Sequence, residues 1–150
     1  MARLTASSFS STYLALSNEA AAAGESNDCA VKAITVVTGR PYAEVLSTMM
    51  RLGRKPRAGT PMHVIRQTLE LFGKRAVAID QRTITSRYPG KHSAKVCVTS
   101  HQPDRFPAAW KNGKTYLMLT KGHILAVVNG TCHDWSRNRS LDCITLFEVV

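Results

Sequence analysis

Three residues of this 150-residue chain have the types and the order of a nucleophilic relay. Cys29 lies near the start, within Asn27-Asp28-Cys29-Ala30-Val31-Lys32-Ala33, while His123, directly after Gly122, and Asp134 lie near the end. A thiolate can attack a carbonyl carbon, and an imidazole can take the thiol proton and return it to a leaving group. A carboxylate can hold that imidazole in the tautomer the transfer needs. The thiol must ionise near neutral pH for this to work, so what surrounds Cys29 matters as much as its identity.

The pattern around Cys29 predicts the first turn of a helix. Glu25-Ser26-Asn27-Asp28 is a polar turn whose Asn or Asp can cap, and Ala30, Ala33, Ile34 and Val37 recur at helical spacing until Gly39. A cysteine placed there meets backbone N–H groups without helical partners and the positive end of the helix dipole, both of which favour a thiolate. The same N–H groups can receive the oxyanion of a tetrahedral intermediate.

His123 and Asp134 are brought together by a hairpin. Asn129-Gly130 is a strong two-residue turn signal between His123 to Val128 and Thr131 to Trp135. With those two residues at the turn, Val128 faces Thr131, Leu125 faces Asp134 and His123 faces Ser136. Alternation then places His123, Leu125 and Val127 on one face with Cys132, Asp134 and Ser136, and turns His133 the other way. His123 and Asp134 become diagonal neighbours, within reach of each other.

The remaining elements must carry these two pieces. A helix is expected from about Ser11 to Ala23, ended by Gly24. Another follows Pro41, with Tyr42, Val45, Leu46 and Met49 on its apolar face and Gly53 beyond it; Pro41 is read as its first helical residue. A further helix is capped by Thr60, opened by Pro61, lined by Met62, Ile65, Leu69 and Phe72, and closed by Gly73. After Gly73 the period changes to that of strands: Arg75 to Ile79, Ala94 to Val98, Lys114 to Leu119, the hairpin, and Ile144 to Val150 after a polar loop rich in Arg and Asn. Helices first and strands second predict one α+β domain, with residues 1–73 mainly helical and residues 74–150 forming a mostly antiparallel sheet.

Composition narrows the class. Apolar residues make up 44% and aromatics 7%, with no apolar run long enough for a membrane span, and Thr5 to Asn18 lacks the continuous apolar core of a signal peptide. The expected location is the cytoplasm, so Cys29, Cys97, Cys132 and Cys143 read as free thiols. No Cys-x-x-Cys pair or phosphate-binding glycine loop is present, and neither a metal nor a cofactor is expected. Cys132, on the His123 face, is a rival thiol; Cys97 and Cys143 fit core or edge positions.

Twenty Lys and Arg against ten Asp and Glu give a net charge of +10. The charge gathers in two loop-like segments, Arg51-Arg54-Lys55-Arg57 and Arg82-Arg87-Lys91-Lys95. These read either as solvated loops or as patches for nucleic acid or a membrane surface, and the net charge as a whole favours polyanions or acidic protein surfaces. Aromatics do not interleave with them, so no base-stacking platform is visible.

Alone, each relay residue has an ordinary reading: a small buried thiol, a hydrogen-bonded core histidine, a solvated aspartate. In combination, the stretches Asn27 to Ala33 and Gly122 to Gly130, with Asp134 on the following strand, resemble the papain-like cysteine peptidase superfamily, in particular compact bacterial and phage members similar to bacteriocin-processing peptidases. The resemblance implies a helical half carrying Cys29 packed on a sheet carrying His123 and Asp134, with the site in the cleft between them. It further implies hydrolysis of peptide or isopeptide bonds in a protein or peptide substrate. Many such peptidases place a glutamine upstream of the nucleophile as an oxyanion donor. This chain has no glutamine before Cys29, so the amide of Asn27, or of Asn18 if the first helix folds back, is assigned that role together with the Cys29 backbone N–H. Two other readings stay open: a deamidase or transglutaminase-type enzyme with the same relay, and a basic binding module for nucleic acid or an acidic host protein.

Overall fold

A computed structural model describes residues 11–79, 94–98, 112–120, 122–133, 139–143 and 145–150. Among these residues four helices come first: α1 (Ser11–Ala22), α2 (Cys29–Thr38), α3 (Tyr42–Arg51) and α4 (Met62–Leu71). Seven strands follow among them: β1 (Ala76–Ile79), β2 (Ala94–Val98), β3 (Thr115–Thr120), β4 (His123–Val128), β5 (Thr131–His133), β6 (Arg139–Cys143) and β7 (Thr145–Val149). The protein is thus α+β, with its helices before its strands.

Glycine and proline set the helix limits, although not always in the expected roles. Gly39 ends α2 at φ 70 and donates its N–H to the Thr35 carbonyl, a left-handed stop that costs glycine nothing. Pro41 and Pro61 occupy the N-cap positions of α3 and α4, with ψ 143 and 147, rather than the first helical positions. Their carbonyls accept from Val45 at 3.1 Å and from Val64 at 3.0 Å. The expected Thr60 cap is not formed: its Oγ1 is buried without a hydrogen-bond partner among the described residues. Proline's fixed φ suits the extended N-cap as well as the first turn, which moves the boundary by one residue.

α2 is the central helix. Ala30, Val31, Ala33, Ile34 and Thr35 are all buried in it, so its small residues let neighbouring elements approach on several sides. It packs against α3 and α4 and against strands β3 and β4. The buried Thr35 and Thr68 hydroxyls donate to the carbonyls one turn back, Val31 at 2.8 Å and Val64 at 2.7 Å, so neither is left unpaired. Around α2, Val45, Met49, Val64 and Leu69 are almost fully shielded from water. Each such side chain contributes about 1.5–3 kcal/mol through burial.

The main sheet has the order β1-β7-β3-β4-β5, with antiparallel neighbours throughout. Leu117, Ile124, Ala126 and Phe147 face the helices and complete the core. Leu125, Val127, Tyr116, Met118 and Leu146, on the alternate positions, are buried as well. The hairpin forms in the expected register, Val128 opposite Thr131 and Val127 opposite Cys132. Asn129 at φ 46 and Gly130 at φ 78 supply the two left-handed residues of a type I′ turn.

One strand was hidden in the sequence. Residues Arg139–Cys143, expected to be part of a polar loop, form β6 and pair antiparallel with β2 in a separate two-stranded sheet. A segment written Arg-Ser-Leu-Asp-Cys has only weak local strand character, and its partner lies far back in the chain.

Candidate active site

The site is built where the start of α2 meets the start of β4. Asp28 occupies the N-cap position, Cys29 is the first residue of the helix, and Cys29 packs half-buried against the core cluster. Across from it, Gly122 at φ 68 turns the chain into β4, and His123 is the first residue of that strand. The left-handed turn at Gly122 is open to glycine without strain.

Cys29 and His123 are brought together. The thiol sulfur is hydrogen-bonded by the His123 side chain and by the backbone N–H groups of Ile124 and Ala30. Burial pushes the Cys29 thiol up, but the His123 hydrogen bond, the Ile124 N–H, the His123 charge and the Ala30 N–H outweigh it. The thiol therefore lies below its ordinary value. Helix start and histidine act on the same atom, and the strand backbone adds a donor that no sequence pattern announced. Cys29 is a free thiol.

Asp134 lies outside the described residues. The hairpin pairing that would carry it toward His123 is present through Ala126 opposite His133. His133 takes the alternate face, as expected, and its burial pushes it below the usual histidine range. Cys132 stands opposite Val127 in the pairing of β4 with β5.

Asn27 stands two residues before the nucleophile in a left-handed conformation, φ 52. Its Nδ2 donates to the Arg57 carbonyl at 3.1 Å, which ties the turn before Cys29 to the loop after α3. Arg57 is itself left-handed, at φ 58, and its N–H donates to Glu25 Oε1 at 3.1 Å. The two loops are joined most firmly by Arg54. Its guanidinium meets Glu25 Oε1 at 2.7 Å, with side-chain exposures of 0% and 7%, and donates to the Ser26 carbonyl at 3.3 Å.

Arg54 therefore corrects the reading of the first basic segment. Arg51, Lys55 and Arg57 are exposed, but Arg54 is buried and paired, so it belongs to the scaffold of the site rather than to a solvated patch. Of the second segment, Arg82, Arg87 and Lys91 lie outside the described residues.

By sequence Asp28 is only one of two residues able to cap α2. It makes no side-chain cap. Its carboxylate is buried and accepts from the Tyr42 hydroxyl at 2.7 Å through Oδ2, and Lys32 Nζ stands 3.4 Å from Oδ1. Tyr42, read as one more apolar residue of α3, is the donor that holds it. Burial first, and the Asp28 carboxylate next, push the Tyr42 hydroxyl far above its ordinary range, so it remains a protonated donor. No sequence signal joined positions 28 and 42, because the contact exists only once α2 and α3 pack.

Among the described residues, no group of three or more His, Cys, Asp or Glu side chains is arranged to hold a metal ion. No helix there is long and apolar enough to cross a membrane. No protein-family model matches the chain, and no curated protein or solved structure matches it significantly.

Proposed function

We propose that the protein is a papain-like cysteine hydrolase that works by acyl transfer on an amide or isopeptide bond of a protein or peptide. The observation that carries this reading is the contact between the Cys29 thiol and the His123 side chain at the start of a buried helix. Core packing does not need a histidine against a thiol that also receives two backbone N–H groups; a nucleophile does.

In the proposed reaction the Cys29 thiolate attacks the scissile carbonyl carbon and forms a tetrahedral oxyanion. His123, holding the former thiol proton, passes it to the departing amine as the carbon–nitrogen bond breaks, leaving a thioester. A water molecule then gives its proton to His123 and attacks the thioester. The carbon–sulfur bond then breaks, releasing the carboxylic acid and the Cys29 sulfur, and the proton taken up by His123 stays with the cysteine–histidine pair. Asp134 holds the His123 ring in the required tautomer.

The Cys29 backbone N–H receives the oxyanion, and Asn27 is the candidate second donor. One hydrogen of its amide is engaged by the Arg57 carbonyl, and an amide nitrogen carries two. The net charge of +10 favours an acidic substrate or an acidic partner on approach. The same relay serves deamidation when the leaving group is ammonia rather than a chain.

The test is iodoacetamide labelling read by peptide mass. Cys29 should label near pH 7 faster than Cys97, and His123→Ala should slow it. Labelling that survives His123→Ala unchanged would sink the activated-thiolate reading. Intact masses of candidate substrates separate the outcomes, since hydrolysis divides a chain while deamidation exchanges one NH2 for OH.

A further inference from the structure

Asp28 presents an anomaly of local chemistry. Aspartate is among the best helix N-caps, and here it holds the N-cap position of a ten-residue helix, yet its backbone, at φ −104 and ψ 27, is not in the extended conformation that capping requires, and its carboxylate does not cap. Both of its oxygens are committed elsewhere: Oδ2 accepts from the Tyr42 hydroxyl at 2.7 Å, and Oδ1 lies 3.4 Å from Lys32 Nζ. The arrangement is closed off from water, with Asp28 at 5% and Tyr42 at 2% exposure. Lys32 Nζ also lies over the Tyr13 ring, 5.2 Å from its centre.

The consequence falls on Cys29. A capping Asp28 would place a negative charge at the mouth of α2 and take first-turn N–H groups that, on the reading above, serve the sulfur and the oxyanion. Ala30 N–H already bonds the sulfur. Resting on that reading, we infer that Tyr42 is a positioning residue: its hydroxyl anchors the Asp28 carboxylate, and with it the Asp28 backbone, in a conformation that does not cap α2, leaving the first-turn N–H groups to the Cys29 thiolate and the oxyanion.

The charged groups around this arrangement are few. Lys32 comes from α2 and Asp28 from its N-cap position, Tyr42 from α3, His123 from β4, and Glu25 with Arg54 act on Tyr42 from the two loops. Tyr42 stays a protonated donor because burial and Asp28 both oppose its ionisation.

The experiment is a double-mutant cycle on the full chain, Tyr42→Phe and Asp28→Ala, reading the pH profile of Cys29 alkylation by iodoacetamide. Tyr42→Phe keeps the buried ring and removes only the hydroxyl. The freed carboxylate should then turn to the helix, raising the pH midpoint and slowing alkylation below it by about twofold to tenfold. Asp28→Ala removes the competing cap, so its midpoint should stay at or below that of the unaltered protein. In that background Tyr42→Phe should change nothing further.

A merely structural tyrosine would lower the melting temperature and leave the midpoint where it was; that result overturns the inference. So does an equal shift with and without Asp28, or a raised midpoint in Asp28→Ala, a variant that can be read even if Tyr42→Phe folds poorly. His123→Ala, measured alongside, keeps the two proposals apart. Its failure to slow alkylation would remove the hydrolase reading, whereas an unchanged Tyr42→Phe profile with a responsive His123→Ala removes only the role of Tyr42.

Discussion

The guanidinium of Arg54 and the carboxylate of Glu25 meet at 2.7 Å with almost no exposure to water, joining the loop that ends α3 to the loop that delivers Cys29. The pair is a device of placement. Charges withdrawn from water are expensive, and they persist when geometry and further hydrogen bonds compensate them. Here the Ser26 carbonyl accepts from Arg54 and the Arg57 N–H donates to Glu25.

Removing one partner strands the other. Arg54→Ala should lower unfolding stability by about 3–5 kcal/mol, as a buried carboxylate loses its counterion. Urea denaturation followed by circular dichroism measures this, and a loss under about 1 kcal/mol would show that the pair is solvated in solution. Replacing both partners, Arg54→Met with Glu25→Leu, should cost less than either half alone.

The pH dependence of Cys29 has a definite sign. Its thiol is held below the ordinary value chiefly by His123 and backbone donors acting against burial. Alkylation should therefore be faster at a given pH than for a thiol with the ordinary value, and should fall as pH drops through the lowered pKa. An acid depressed in the folded protein contributes stability that is fully present above its unfolded pKa and lost as pH falls through the folded one. In His123→Ala burial acts with less opposition, so the midpoint should move up; a downward movement would contradict this account.

Asp134→Asn tests the orienting carboxylate. Under the proposed mechanism it should reduce turnover on any identified substrate by several orders of magnitude, as loss of an orienting aspartate does in comparable relays, while melting temperature changes little. Full turnover in the variant would remove Asp134 from the relay.

The hairpin that presents His123 depends on its turn. Gly130 at φ 78 lies where a Cβ is strained, so Gly130→Ala should cost about 1–2 kcal/mol. Asn129 at φ 46 also accepts from Gly113 N–H at 2.7 Å through Oδ1. Asn129→Ala should therefore lose both turn preference and hydrogen bond, visible as a lower melting temperature. No change in either variant would mean that the turn does not govern the hairpin's stability.

Packing under the nucleophile is equally exposed to test. Ile34 is fully buried one face along α2 from the site, and Ile34→Ala should destabilise by about 2–5 kcal/mol. Ile34→Val should cost about 0.5–1.5 kcal/mol, and a series that fails to follow the volume removed would argue against the packing described.

Much of this architecture was legible in the residues. Gly24, Gly39, Gly53 and Gly73, with Pro41 and Pro61, announced four helices, because both residue types act on the backbone itself. Asn129-Gly130 likewise announced a turn and, through the period of two, a register that holds over the three described pairs of β4 with β5. Cys29 at a helix start and His123 at a strand start were local readings of the same kind. β6 escaped because its sequence is weakly strand-forming and its partner β2 is distant in the chain.

Only tertiary structure decided what each charge does. Arg54 looks like its exposed neighbours Arg51, Lys55 and Arg57, and Asp28 looks like any helix cap. Burial and partners, not residue type, turned the first into an ion pair with Glu25 and the second into an acceptor for Tyr42. The contact of Cys29 with His123, and with the Ile124 N–H, is of this kind too. Backbone preferences are short-ranged and can be read along a chain, whereas the state of a charged group depends on what folding places within a few ångströms of it and on how much water is left there.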